Sequence, residues 1–435
     1  MGGVVSLEVN VASELFDRHR AVMPSWLSLY YDEPIEITRG EGCYVYDGEG
    51  RRYLDFFGGI LTTSVGHGTS EVVEAISDQA GKVIHSSTLY LIEPMIELAE
   101  KLAAISGIPD AKVFFTTSGT EANDAALLLA TAFKGTNQII AVKNSYHGRS
   151  FTEIGVTGNS AWSPTSYSPL NVSWVQGGSR IRGPLANLSD EEYLARGILD
   201  LEDVLMTTTT GRPAAMIAEP IQGVGGFTLP PDGYFGTLQK SLVNRGILFI
   251  ADEVQTGFGR TGEGFWGYQS QGVQPDLITF AKGVANGMAL AGVIGRSEII
   301  DCLGANSIST FGGGPVAARA GLATFDLIVN RNLQENARRM GAMLKAGLER
   351  LAAGNEAIGE VRGKGLMVGV EFVEPGGFVP SPQRAGKALE DAKAAGLLIG
   401  KGGLSGNVLR IAPPLTVNEA EIAQGLEMLG KVIGE

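Results

Sequence analysis

Short apolar runs recur along the middle of the chain, at residues 113–115, 139–142, 172–175, 216–218, 248–251, 277–280 and 292–294. Each is too short for a helix, and each is followed at once by polar or glycine-rich residues, as in a strand buried on both faces. Between several of them lie stretches of helical periodicity, residues 121–133 (EANDAALLLATAF) and 231–244 among them. Strands alternating with helices in this way predict a mainly parallel sheet covered by helices, an α/β domain. Nearer the N-terminus, residues 42–54 alternate around Asp47, Gly48, Glu49 and Gly50, which predicts a hairpin. Beyond Thr310 the pattern changes to a long helical stretch, residues 315–351, followed by a strand at 365–373, a helix near 384–395 and a strand at 407–411. The expected organisation is a large α/β domain over residues 66–313, with residues 1–65 and 314–435 together forming a smaller α+β domain.

No fixed-period repeat or low-complexity segment interrupts this picture. With 44% hydrophobic and 19% charged residues, the 435-residue chain can bury a large core. Glycine, at 61 residues, is about twice as frequent as usual without a Gly-X-Y period, and so serves turns and close backbone approaches. The net charge of −13 disfavours nucleic acid and anionic membrane surfaces as partners. Cys43 and Cys302 are the two cysteines, far apart and outside any CxxC, which points away from disulfide frameworks and zinc clusters and towards the cytoplasm. Residues 1–20 lack a basic stretch followed by an apolar core, and no apolar run of ~18 residues occurs. Met1, Gly2 and Ser6 formally meet the myristoylation pattern, but no basic cluster follows to supply a second membrane signal.

Ligands of parallel sheets gather beyond the carboxyl ends of the strands, so the residues directly after each apolar run carry the candidate chemistry. Thr116–Asn123 (TTSGTEAN) opens an apolar helix, where free N–H groups and the helix dipole suit a phosphate; a plain N-cap is the ordinary alternative. Asp252 emerges from a buried strand and needs a partner, which a protonated heterocyclic nitrogen would supply, although a cap or a metal ligand fits equally. Lys282 follows another strand, where an apolar setting would lower its pKa and favour a Schiff base with an aldehyde; most lysines are simply solvated. Tyr146 and His147 lie beside Gly148 in SYHGRS, and the tyrosine ring can stack on a flat cofactor or pack in an ordinary turn. His19, His67 and His85 show no metal-ligand spacing, so no metal is expected. GxSxG, GxGxxG after the first strand, and GxxxxGK[ST] are all missing, which removes the best evidence for serine hydrolases, nicotinamide enzymes and P-loop enzymes. The order of the four features, with Lys282 thirty residues after Asp252, jointly specifies pyridoxal 5′-phosphate.

With these segments in place, the chain closely resembles the class III (ω-type) aminotransferases, a branch of the fold type I pyridoxal-phosphate enzymes. The resemblance runs from about Pro34 to Glu427 and rests on TTSGTEAN (116–123), SYHGRS (145–150), AEPIQGVGGF (218–227), ADEVQTGFGRTG (251–262), TFAKGVANGM (279–288), STFGGGP (309–315) and LRIAPPLT (409–416). It implies that Lys282 forms the Schiff base and moves the proton between substrate Cα and cofactor C4′, and that Asp252 keeps the pyridine nitrogen protonated. It further implies a phosphate site at Ser118, Gly119 and Thr120, to which Thr310 of a neighbouring subunit adds, so that the site belongs to a homodimer. Tyr146 and Val254 would flank the ring, with His147 nearby. Gln255 would bond the phenolic oxygen, Glu219 would support the Asp252 region, and Arg410 would hold a substrate carboxylate through a bidentate bond. His85, Ser86 and Tyr90 are expected near the site mouth, and the stretches around Trp26 and residues 57–61 in the substrate pocket.

Of two departures from the family pattern, the one at Val224 shapes the expected specificity. Ornithine- and 4-aminobutyrate-type members carry a glutamate after the EP motif that covers the arginine, where this chain has Val224; Gly314 replaces the Asn or Ser often found after TFGG. An uncovered Arg410 suits α-amino acids, and IQGVGGF is most similar to type-2 alanine–glyoxylate aminotransferases. The expected activity is transamination between an alanine-like donor and a 2-oxo acid: glyoxylate, pyruvate or 2-oxoglutarate. The alternatives are an ω-amine or 4-aminobutyrate transaminase, a decarboxylase, lyase or aminomutase on the same fold, and a non-catalytic pyridoxal-phosphate-binding protein, which Lys282 and Asp252 argue against.

Overall fold

The computed structural model describes residues 11–433, so the myristoylation pattern lies outside the described residues. All seven apolar runs are strands of one sheet. Across it the order is Ala111–Thr116, Ala291–Arg296, Leu277–Phe280, Leu248–Asp252, Ala215–Ala218, Gln138–Val142 and Asn171–Val175. Strand Ala291–Arg296 runs antiparallel to both its neighbours, and the other pairings are parallel. Side chains alternate between two separate cores. Ile140, Met216, Ala218, Phe249, Ala251, Ile278 and Phe280 enter one, while Ile139, Ala141, Ile217, Leu248, Ile250 and Leu277 enter the other. Burial on both faces is why these runs read as continuous apolar segments. Helix Gly119–Lys134 lies against strands Ala291–Arg296 and Leu277–Phe280 on one side.

Downstream of the sheet, an antiparallel sheet contains Ile358–Lys364, Met367–Phe372, Val408–Ile411 and Gly400–Gly402 in that order. The predicted hairpin is present as Tyr44–Asp47 and Arg52–Asp55, extended by Ile37–Glu41. Leu54 and Asp55 pair in parallel with Leu397 and Leu398, which joins the N-terminal strands to the C-terminal part of the chain.

Two expectations need correction. The single helical stretch over 315–351 is two helices, Pro315–Asn330 and Leu333–Ala352, broken where Asn332 takes a left-handed conformation at φ 50°. Asparagine visits that region more readily than most residues, and it ends the first helix without a glycine. The strand expected at 365–373 is Met367–Phe372, and its partner Ile358–Lys364 went unforeseen. That partner carries two glycines and a buried Arg362 in place of an apolar alternation.

Candidate active site

Six strands of the sheet share one carboxyl edge, and the segments leaving four of them converge there with the start of helix Gly119–Lys134, which follows a fifth, Ala111–Thr116. They enclose a cavity of about 130 Å³ lined by Gly119, Thr120, Asn123, Tyr146, His147, Gly148, Glu219, Asp252, Val254, Gln255 and Lys282. Most of the residues singled out in the sequence therefore meet in one place.

Asp252 ends its strand only 3% exposed. A buried carboxylate must be compensated by hydrogen bonds, and this one has three donors. Oδ2 accepts from Asn123 Nδ2 at 2.8 Å and faces His147 Nδ1 at 2.7 Å, while Oδ1 accepts from the Val254 N–H at 3.1 Å. A carboxylate only accepts, so Nδ1 of His147 carries the proton. His147 thus lies behind Asp252, its Nε2 buried and without a partner among the described residues. Asn123 also donates to the His147 carbonyl at 2.7 Å, locking the pair. Sequence reasoning assigned Asn123 no role, although a polar amide within an apolar helix, where it is disfavoured, was a usable signal.

Glu219 ties two of the converging segments together: Oε1 accepts from the Tyr146 N–H at 2.9 Å and Oε2 from the Gly223 N–H at 2.8 Å. Burial pushes its carboxyl above the usual range, and Asp252 adds to the push while His147 opposes it. Lys282 sits just past Leu277–Phe280 in a left-handed conformation, φ 46°. Such a backbone in a non-glycine residue stores strain and often marks a functional position. Desolvation lowers the Lys282 pKa; Asp252 and Glu219 work against this, and Arg410 adds to it. A lowered pKa enlarges the fraction of neutral amine, the form that attacks an aldehyde.

At the helix start, Ser118 is the N-cap: its Oγ accepts from the Glu121 N–H at 3.2 Å. The ordinary capping role expected of this segment is thus realised, and Gly119 and Thr120 form the cavity wall beside it. A Cβ at Gly119 would come within 3.1 Å of Val254 and crowd this approach. The first-turn N–H groups and the helix dipole are suited to an anionic group there. Tyr146 lines the cavity with its ring edge against Trp162, centroids 5.2 Å apart. Gln255 Oε1 is buried at the cavity without a partner among the described residues.

Arg410 stands outside this inner cavity. Its strand sets it opposite Gly369 on one side and Gly400 on the other. The guanidinium donates from Nε to the Lys401 carbonyl at 3.2 Å and from Nη1 to the Gly223 carbonyl at 3.3 Å, and lies 5.0 Å from the centre of the Phe57 ring. None of its partners among the described residues is a carboxylate. The backbone of Val224 runs close by: a Cβ at Gly402 would stand 2.9 Å from both Arg410 Nε and the Val224 carbonyl.

Thr310 is exposed and apart from the cavity. It lies instead on a surface patch where Phe311 meets His85, ring centroids 5.2 Å apart, and where Tyr90 is exposed and Ser86 half-buried. Within this chain, then, the structure brings the cofactor-type residues together but leaves Thr310, His85, Ser86 and Tyr90 at the surface.

The family model described as "Aminotransferase class-III" matches residues 29–433. The chain is a class III aminotransferase. It is 42% identical to alanine–glyoxylate aminotransferase 2 homolog 2, mitochondrial, of Arabidopsis thaliana, over 92% of this chain and 83% of that protein. It is 36% identical to an alanine/serine racemase of Pyrococcus horikoshii, over 97% and 90% respectively. A solved structure of an (S)-enantioselective ω-transaminase from Thermomicrobium roseum superposes with a TM-score of 0.90 at 34% identity, covering 97% of this chain and 98% of that one. The fold is accordingly fold type I, and this aminotransferase is pyridoxal-phosphate dependent. The cavity fits the cofactor on its own evidence. A hydrogen-bonded carboxylate, a desolvated lysine, an orphaned amide oxygen on Gln255 and a glycine-floored helix start are the groups that a phosphorylated pyridine aldehyde requires.

Proposed function

We propose that this class III aminotransferase transfers the amino group of a small, alanine-like α-amino acid to a 2-oxo acid such as glyoxylate, pyruvate or 2-oxoglutarate. The observation that carries the reading is Arg410, buried, without a carboxylate partner among the described residues, and close to the backbone of Val224. A guanidinium in that state offers a fork of N–H donors to a substrate α-carboxylate. Likeness to the Arabidopsis alanine–glyoxylate aminotransferase homologue supports the same donor and acceptor.

Bound pyridoxal phosphate supplies an electron-withdrawing ring that acidifies the Cα–H of an attached amino acid. Asp252, held by Asn123 and His147, keeps the proton on the ring nitrogen. Lys282 provides the amine for attachment and then carries the proton between Cα and C4′. Gly119 and Thr120, with Ser118 capping the helix, would receive the phosphate, and Thr310 of a second subunit would add to it. Tyr146 and Val254 would flank the ring and Gln255 would bond the phenolic oxygen, while Glu219 braces the Tyr146 and Gly223 turns. The functional unit in this reading is a homodimer. The two free cysteines support a reducing compartment, the cytoplasm.

The relationship to the Pyrococcus alanine/serine racemase favours a second reading, in which the Cα proton returns to Cα instead of C4′. One experiment separates them: the visible spectrum of the holoenzyme with L-alanine and then glyoxylate, with chiral analysis of the alanine. Loss of the cofactor's visible band with alanine and its return with glyoxylate supports transamination. D-Alanine accumulating without an oxo acid supports racemisation. A band indifferent to alanine removes the α-amino donor and makes ω-amines, which the Thermomicrobium likeness favours, the next substrates to test.

A further inference from the structure

Behind the turn that holds Arg410 lies a second cavity, of about 370 Å³, large enough for a small organic molecule. Its wall includes Gly225 and Gly403, whose neighbours Gly223, Val224 and Gly402 surround Arg410 on the other side. In a chain of net charge −13, the ionisable residues of this wall are Lys143, Arg182 and Arg362 against Glu371 alone.

Arg362 is 5% exposed and tightly held. Its Nε donates to the Gly226 carbonyl at 3.0 Å, and its Nη1 binds Glu360 at 2.7 Å and also Glu371. Nη2, next to Gly226, is buried and has no partner among the described residues. Arg182 pairs with the same Glu371 and donates from Nη1 to the Phe378 carbonyl at 2.7 Å. Glu371 is thus shared by two guanidinium groups, and Lys143 has no side-chain partner among the described residues. Burial and the neighbouring Arg362 both hold the Arg182 pKa below its usual value.

We propose that this cavity is a binding site for a small oxyanion, a carboxylate or a phosphate group, held by Lys143 and Arg182, with Arg362 adding positive charge to the wall. The site is separate from the cofactor cavity and from Arg410. Its occupant would brace the 223–228 turn, because Arg362 already grips the Gly226 carbonyl and Thr228 lines the same cavity.

The test is calorimetric titration of the pyridoxal-phosphate-loaded protein with inorganic phosphate and, separately, with malonate, against sodium chloride of matched ionic strength. Both titrations are repeated on Arg410→Leu, which discounts malonate bound in the substrate site. The expected result is a single saturable site that survives Arg410→Leu and weakens at least about tenfold in Lys143→Ala/Arg182→Ala. Lys143→Ala alone, at an exposed position, gives a weakening of the same sign if the double variant does not fold. Binding of phosphate only assigns a phosphorylated ligand, binding of malonate only a carboxylate, and binding of both a general oxyanion site. Heat no greater than that of sodium chloride, or binding indifferent to Lys143 and Arg182, overturns the proposal.

Discussion

At the scale of single residues, the site is built by making burial tolerable for charges that burial opposes. Asp252 is buried with three donors, whereas Lys282 is desolvated and depends on Asp252 and Glu219 at longer range. Because the Lys282 pKa lies below 10.5, its neutral amine is populated at lower pH than that of a surface lysine. The rate at which apoenzyme recaptures pyridoxal phosphate should therefore rise with pH with its midpoint below 10.5, as followed by the return of the visible band. A midpoint at or above pH 10.5 would contradict the desolvated setting. Lys282→Ala should keep cofactor by its phosphate contacts yet lose at least about 10³-fold in turnover with alanine. Wild-type turnover in that variant would sink the assignment. Val224→Glu places a carboxylate beside Arg410, so KM for alanine should rise about tenfold with a smaller change in kcat. An unchanged KM would mean that Arg410 does not receive the α-carboxylate.

At the scale of elements, legibility followed burial. The seven strands could be read because both faces of the sheet are buried, making each run apolar throughout, and their polar successors then pointed to Asp252, Lys282 and Tyr146, while Glu219 came only from the family resemblance. What escaped is what only pairing decides: strand Ile358–Lys364 with Arg362 inside it, the break at Asn332, the part of Asn123 in holding Asp252, and the junction of Leu54–Asp55 with Leu397–Leu398. Glu253 is another such residue, a carboxyl that links the end of Leu248–Asp252 to the short helix Gly267–Gln271. It accepts from the Gly267 N–H at 2.8 Å, the Tyr268 N–H at 2.6 Å and the Thr256 hydroxyl at 2.7 Å. Despite these donors, burial pushes its pKa up to about 7 from 4.5. Between those values the folded chain binds this proton more tightly than the unfolded one, so its contribution to stability falls as pH rises from 4.5 to about 7. The total effect is about 3 kcal/mol as an order of magnitude. Urea unfolding midpoints measured across that window should fall less steeply in Glu253→Gln than in the wild type. Because Glu219 and Glu153 shift in the same direction in both proteins, the difference in slope isolates Glu253. Parallel slopes would place the Glu253 pKa near its ordinary value.

At the scale of the whole molecule, the surface has a feature that a lone chain does not explain. Ile84, Leu89, Tyr90, Leu91, Ile308 and Phe311 are all largely exposed, and the two segments that carry them touch through the His85–Phe311 ring contact and the Thr88–Ser309 hydrogen bond. Contiguous apolar surface of this kind marks an interface. Thr310 lies within it, where a second copy could take it to a neighbouring cofactor cavity. Self-association and cofactor binding should then fail together. Leu91 is 92% exposed, so Leu91→Glu removes nothing from the core of its own chain and puts a charge into the patch. The wild type should sediment as a dimer of the 45.7 kDa chain. The variant should dissociate at least about 100-fold more readily and lose pyridoxal phosphate on dialysis, while its circular dichroism stays that of the wild type. A monomeric variant that retains cofactor as tightly as the dimer would separate the patch from the phosphate site. A variant that still sediments as a dimer would place the subunit interface elsewhere.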